Sequence, residues 1–358
     1  MSLVKILVAT DAWHPQVNGV VRTLGHVARE APALGAELEF LTPADFYTLP
    51  LPSYPEIRLA LVPPGAVARK LDHVRPQAIH VATEGPIGHA LRRLCIRRHL
   101  PFTTSFHTRF PDYLAERLPL PASLTTEMSW RWLKRFHAPG AAVLAATPTL
   151  MTELGQRGFH DVRLWPRGVD AHLFRPRPGA TLGLPRPIFL TVGRVAVEKN
   201  LEAFLALDLP GTKVVVGDGP ARAALEKTYP HAVFLGAHQG EALAEIYAAA
   251  DVFVFPSRTD TFGLVLLEAL ASGVPVAAYP APAPRDVLGQ APVGVLEEDL
   301  RRACLAALDI PRDACRDFAL QMSWEQSAAL FLEHVTTAQK APKPARLLRW
   351  VRRMRKAA

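Results

Sequence analysis

The sequence predicts two parallel α/β halves, each a short-stranded sheet covered by helices, and three observations carry that prediction. First, 358 residues exceed what one core encloses, at roughly 100 to 200 residues per domain. Second, short apolar runs alternate with helical patterns in two separate series, the pattern of βαβ units whose sheets are covered on both faces. Third, Phe174 to Pro187 carries Pro176, Pro178, Pro185 and Pro187 with two glycines, which can continue neither a helix nor a central strand; the linker is expected there.

The first series reads as a strand over Val4 to Thr10, a helix from about Gly19 to Leu34, and strands over Glu37 to Leu41, Ala78 to Val81 and Phe102 to Ser105. The second reads as strand Ile188 to Val192, a helix from about Leu201, strand Lys213 to Gly217, helix Ala221 to Lys227, strand Ala232 to Leu235, helix Glu241 to Ala249 and strand Val252 to Phe255. The C-terminal half looks small, so its sheet is expected to be short. No period of 20 to 50 residues repeats.

Apolar residues make up 49% of the chain and charged ones 21%, with mean hydropathy +0.10, a composition that excludes disorder. No apolar run reaches the ~18 residues of a spanning helix; Leu264 to Ala278 is broken by Glu268, Ser272, Gly273 and Pro275. The start, Val-Lys-Ile-Leu-Val-Ala-Thr-Asp, is too short for a signal peptide's apolar region, so a cytoplasmic location is expected. Cys95, Cys304 and Cys315 form no Cys-x-x-Cys pair, which leaves neither a disulfide framework nor a zinc knuckle. Of the formal charge of +8, all resides in Lys340 to Ala358. That segment holds eight basic residues and no acid, and the rest of the chain balances, so nucleic acid is not an expected partner.

The sharpest segment is Phe255 to Ala278, FPSRTDTFGLVLLEALASGVPVAA. It reads as a buried strand end, a polar loop, a helix from about Phe262 stopped at Gly273, and a strand over Pro275 to Ala278. Asp260 precedes the helix and Glu268 lies inside it, about 9 Å beyond its start. An ionised Glu268 among Leu264, Val265, Leu266, Leu267, Ala269 and Leu270 is costly unless something hydrogen-bonds it. A pair of ribose hydroxyls would do so; the alternative is a Glu that faces solvent or pairs internally with an Arg. The helix-start amides at Phe262, Gly263, Leu264 and Val265 suit a phosphate or sugar oxygen.

This segment resembles the E-x7-E motif of retaining glycosyltransferases of family 4, also called group 1, which have the GT-B fold of two Rossmann-like domains facing a central cleft. The resemblance covers nearly the whole chain. It is strongest to bacterial diacylglycerol glycosyltransferases, sulfoquinovosyltransferase-like enzymes and GDP-mannose-dependent mannosyltransferases, whose N-termini read much like ATDAWHPQVNGVVRTL, Ala9 to Leu24. The chain departs from the motif at Asp260, where the family has Glu beside the donor sugar.

A second segment, VGRVAVEKN from Val192 to Asn200, ends a strand in Gly193-Arg194 and sets Lys199 before a helix. Two cations at the carboxyl end of a strand suit a diphosphate, although such residues also occur merely solvated, and the resemblance assigns both to the donor pyrophosphate. VGDGPARAALE, Val216 to Glu226, lacks the third glycine of a dinucleotide fingerprint; in the family it closes a loop near the base. In the N-terminal half, Asn18-Gly19 opens a helix as a glycine loop or a plain turn. His107 follows a strand and reads from residues alone as structural, whereas the resemblance puts it beside the donor sugar and phosphate. Glu84 is a structural or acceptor-side residue, and Asp170 a hinge residue.

Together these imply a hexosyltransferase: catalytic His107, Arg194, Lys199 and Asp260, with donor contacts from Asn18, Gly19, Gly193, Arg194, Lys199, Asp260, Phe262, Gly263, Leu264, Val265 and Glu268. The acceptor domain is expected over 1–170, the donor domain over 176–322, and a helix crossing back over 323–339. No Asp-x-Asp pair occurs, so no metal and no cofactor beyond the nucleotide sugar is expected. The expected acceptor is a membrane lipid such as diacylglycerol; alternatives are a soluble or polysaccharide acceptor, or a non-catalytic nucleotide-sugar sensor at the membrane. A nicotinamide dehydrogenase is disfavoured by the missing fingerprint. Over 340–358, Leu347, Leu348, Trp350, Val351 and Met354 fall on one arc and Arg346, Arg349, Arg352, Arg353, Arg355 and Lys356 on the other, a basic amphipathic helix suited to an anionic membrane surface. A monomer held peripherally on the inner face of the cell membrane is the expectation.

Overall fold

The computed structural model describes residues 3–16, 18–51, 54–107 and 122–340. The chain divides into two units, Met1–Pro166 with Glu325–Ala358, and Arg167–Trp324.

In the first unit, β1 (Val4–Ala9) is wholly buried from Ile6 onward, as a central strand must be. It pairs in parallel with β2 (Ala36–Leu41) and β5 (Ala78–Val81). The sheet has six strands in the order β2-β1-β5-β6-β7-β8, adding β6 (Thr103–Phe106), β7 (Ala142–Ala145) and β8 (Val162–Leu164). Alternate side chains enter opposite layers. Ile6 and Val8 meet Leu24 and Val27 of α1 (Gly19–Glu30) and Phe331 and Val335 of the C-terminal α13 (Trp324–Lys340). Leu7, Ala9, Ile79 and Val81 meet α2 (Ala66–Val74), α3 (Pro86–Arg98) and α4 (Ala122–His137). The helix α5 (Pro148–Gln156) joins β7 to β8. An antiparallel hairpin, β3 (Tyr47–Leu51) with β4 (Tyr54–Leu61), stands outside the sheet. α13 is tied into this unit: Trp165 Nε1 donates to Ser327 O at 3.1 Å and Ser327 Oγ donates to Pro166 O at 2.7 Å.

The second unit repeats the plan with β9 (Ile188–Val192), β10 (Thr212–Val216), β11 (Val233–Gly236), β12 (Val252–Phe255), β13 (Val276–Ala278) and β14 (Gly294–Leu296). The order β11-β10-β9-β12-β13-β14 is all parallel. Its helices are α6 (Leu201–Leu205), α7 (Arg222–Thr228), α8 (Gly240–Ala249), α9 (Leu264–Ala271), α10 (Pro282–Leu288), α11 (Leu300–Ala307) and α12 (Arg312–Leu320). The sheet is therefore as broad as the first, against the expectation of a short one; its strands are three to five residues long, and β14 is too short to show a period. The units part at Pro166/Arg167, not in the proline-rich stretch. That stretch belongs to the second unit because Phe174, 2% exposed, anchors it, edge-on to Tyr247 at 5.6 Å. Thr212 Oγ1 also donates to Pro185 O at 2.7 Å. A Cβ on Gly168 would lie 2.4 Å from Ser323 C and Trp324 N, since two chain segments run side by side there, bridged at Val169 and Ser323.

Candidate active site

The carboxyl edge of the second sheet is built by loops leaving β9, β10 and β12. Past their ends, the β9 and β10 loops stay zipped together, with Gly193 N donating to Val216 O and Val195 N to Asp218 O, both at 2.9 Å. That spacing leaves no room for side chains: a Cβ on Gly217 would sit 1.8 Å from Gly193 O, and one on Gly219 2.4 Å from Val195 O. The glycines of VGDGPARAALE thus hold the loop that presents Gly193 and the half-buried Arg194.

Lys199 closes a short 3-10 turn, Val197–Lys199, whose end is set by Asn200 in the left-handed region at φ 52°. Asn200 Nδ2 donates to Pro256 O at 3.1 Å, and Thr259 Oγ1 reaches Glu198 O at 3.5 Å, so this turn is laced to the loop after β12. Across that lacing Lys199 Nζ donates to Asp260 Oδ1 at 2.5 Å. Two of the four expected catalytic residues thereby meet, 24% and 15% exposed at their side chains. Asp260 Oδ2 is buried with no hydrogen-bond partner among the described residues, an oxygen that a ligand hydroxyl or ammonium would satisfy. The same loop carries Arg258, whose guanidinium lies 3.7 Å over the Tyr279 ring and donates to Glu298 at 2.7 Å, joining the loops after β12, β13 and β14.

Gly263 turns the chain into α9 at φ 83°, and a Cβ there would press at 3.1 Å on Phe255 and Leu266. The helix begins at Leu264, two residues beyond the expected Phe262, because Gly263 in the left-handed region cannot be part of it; Phe262 stays in the loop, 8% exposed. The N–H groups of a helix's first turn, here those of Leu264 and Val265, have no intrahelical acceptor. Glu268, at 3% exposure, accepts from Tyr247 OH at 3.1 Å. An internal partner is thus a tyrosine of α8. Sequence reasoning missed Tyr247; its signal is a polar hydroxyl on the apolar face of α8, which a fully buried Tyr must pair.

In the first unit, Asn18 caps α1: its Oδ1 accepts from Val20 N and Val21 N, both at 3.0 Å. Gly19 is the exposed first residue of that helix. His107 follows β6 with its ring 5.8 Å from Trp165. Glu84 is buried and pairs with His137 Nε2 at 3.2 Å, whose Nδ1 meets Thr104 Oγ1 at 2.8 Å. Asp11 escaped the sequence reading. It lies in the loop after β1 and accepts from Ile87 N at 2.8 Å, Gly88 N at 3.2 Å and Thr83 Oγ1 at 2.9 Å, holding the start of α3. Burial raises its carboxyl above the ordinary carboxylate range; those three bonds lower it and nearby Glu84 adds to the rise. Gly85 is required here, since a Cβ would lie 2.3 Å from Asp11 Cγ.

Among the described residues no group of three or more His, Cys, Asp or Glu could hold a metal ion, and no helix is long and apolar enough to cross a membrane. The amphipathic segment 340–358 lies outside the described residues, apart from Lys340 at the end of α13.

Residues 17–173 match Glycosyltransferase Family 4 and residues 186–309 match Glycosyl transferases group 1. A GDP-mannose-dependent alpha-mannosyltransferase of Mycobacterium tuberculosis is 32% identical over 322 residues, covering 82% of this chain and 83% of that protein. An alpha-monoglucosyldiacylglycerol synthase of Streptococcus pneumoniae is 26% identical over 373 residues, 91% of this chain and 83% of that protein. Among solved structures, a sucrose-phosphate synthase from Thermosynechococcus elongatus superposes with TM-score 0.73 at 21% identity, over 92% of this chain and 97% of that one. Two six-stranded parallel sheets wound with helices and these matches over both halves lead to one assignment: the chain belongs to the family 4, group 1 glycosyltransferases and has their GT-B fold of two Rossmann-like domains.

Proposed function

We propose that this glycosyltransferase moves a hexose from a UDP- or GDP-linked donor to a membrane lipid such as diacylglycerol, with retention at the anomeric carbon and no metal. The observation that carries the donor half is that Arg194, the Lys199–Asp260 pair and the start of α9 all come from loops at one edge of the second sheet, with Glu268 buried in α9 itself. Open α/β sheets take their ligands at this edge. Lys199 and Arg194 offset charge developing on the leaving diphosphate, an electrostatic contribution strongest where water is excluded. Glu268, fixed by Tyr247, accepts from ribose hydroxyls, and Asp260 faces the donor hexose. His107 is assigned to the sugar and phosphate on family resemblance. With no side-chain nucleophile assigned, the leaving phosphate accepts the acceptor hydroxyl's proton on the face from which it departs.

The lipid acceptor is supported by the diacylglycerol named for the pneumococcal relative and by the basic amphipathic composition of 340–358. Arg346 to Lys356 is the proposed contact with an anionic membrane surface, holding a monomer at the inner face of the membrane.

A panel of nucleotide sugars with vesicle-borne diacylglycerol, read by lipid mass and product anomer, tests the proposal. One donor giving an α-linked glycolipid without added metal is expected. Transfer only to soluble acceptors would replace the lipid; inversion would replace the stereochemistry.

A further inference from the structure

The β3–β4 hairpin exposes one continuous apolar face. Its register sets Tyr47 opposite Leu61 and Leu49 opposite Leu59, and these four side chains are 88%, 52%, 55% and 37% exposed. Ala60, on the other face, is 4% exposed and sits in the core layer that also takes α2, α3 and α4. The hairpin is therefore fastened by one face while the other is left without a cover among the described residues, a composition that marks an interaction surface.

Charge identifies what covers it. α3 carries no acid and exposes Arg93 and Arg97. α4 lies against it, with Arg92 Nε donating to Phe136 O at 2.6 Å. It exposes Arg131, Lys134 and Arg135 against one acid, Glu127, together with Met128 at 62% and Trp132 at 44%. On α2, Asp72 is neutralised by Arg98. A second copy of this surface would set like charges together, whereas anionic headgroups around an apolar wedge satisfy both features. We propose that the Tyr47–Leu49–Leu59–Leu61 face inserts into the headgroup region of an anionic bilayer. This is a second membrane contact, in the layer opposite α13, from which the basic tail departs. It deepens the lipid-acceptor reading and rests on it for its purpose, but the readout below needs no turnover.

The native cysteines are fully buried, so Leu49→Cys in the full chain takes a polarity-sensitive fluorophore selectively. Phosphatidylglycerol-containing vesicles at about 0.5 M salt, where ionic attraction is screened within a few ångström, should shift its emission to the blue. The double variant Tyr47→Ser/Leu61→Ser should partition at least about tenfold less at that salt, with an unchanged circular dichroism spectrum and unchanged transfer to detergent-dispersed diacylglycerol. An unshifted probe, or vesicle partition unchanged in the double variant, would overturn the inference. So would a blue shift that grows with protein concentration in the absence of vesicles, which would make the occupant a second copy. Loss of detergent-phase transfer by the wild-type chain would count against the lipid-acceptor reading alone.

Discussion

Single residues at the carboxyl edge show how little freedom the candidate site has. Gly217→Ala should cost about 3 kcal/mol or more, because its methyl would meet Gly193 O at 1.8 Å. Gly25→Ala inside α1, where a Cβ meets nothing within 4 Å, should be neutral or stabilising by up to ~1 kcal/mol; thermal unfolding of the pair reads both signs. Asp11 offers a test in pH. Its carboxyl is raised by burial, so its contribution to stability relative to Asp11→Ala is fully present below the ordinary carboxylate pKa. That contribution declines as pH climbs through Asp11's own raised value. Urea unfolding of both proteins from about pH 4 to 8 should show the gap between them narrowing. The residue types at the carboxyl edge of the second sheet were legible, since a buried Glu, a loop Lys and an Arg are chemically conspicuous. Their pairings were not: Lys199 meets Asp260 across 61 positions and Tyr247 meets Glu268 across 21, and only packing makes such neighbours.

At the scale of elements, alternation of apolar runs placed most strands within a residue or two. Ala78–Val81, Ile188–Val192 and Val252–Phe255 stand as read. The hairpin escaped because Pro50 and Pro55 interrupt its runs, and prolines are tolerated only outside a sheet's interior. β14 escaped because three residues carry no period. The helix α1 was read from its sequence but not its cap. Asn18→Ala should cost about 1 kcal/mol of stability. If the backbone of the Asn18–Gly19 loop rather than the Asn18 side chain serves the donor, that substitution should leave donor affinity within about twofold in a nucleotide titration.

The whole molecule is two units with separate cores, and a donor held by the second should stabilise that unit. Calorimetry is expected to show two transitions, one of which rises with nucleoside diphosphate by about 2.7 kcal/mol at a hundredfold excess over Kd. Chelation should leave turnover unchanged; loss in EDTA restored by magnesium would contradict the metal-free proposal. Truncation after Gln339 should weaken vesicle binding at low salt, where the basic segment acts, and leave the hairpin's salt-resistant share. The central claim is that loops at the carboxyl edge of the second sheet hold the nucleotide sugar, and isothermal titration of UDP and GDP into wild type, Lys199→Ala and Glu268→Gln tests it most directly. Loss of a charge-assisted contact, worth roughly 1.5 to 3 kcal/mol, predicts that the preferred nucleotide binds each variant about 10- to 150-fold more weakly with the fold intact. Affinities equal to wild type in both variants would contradict it.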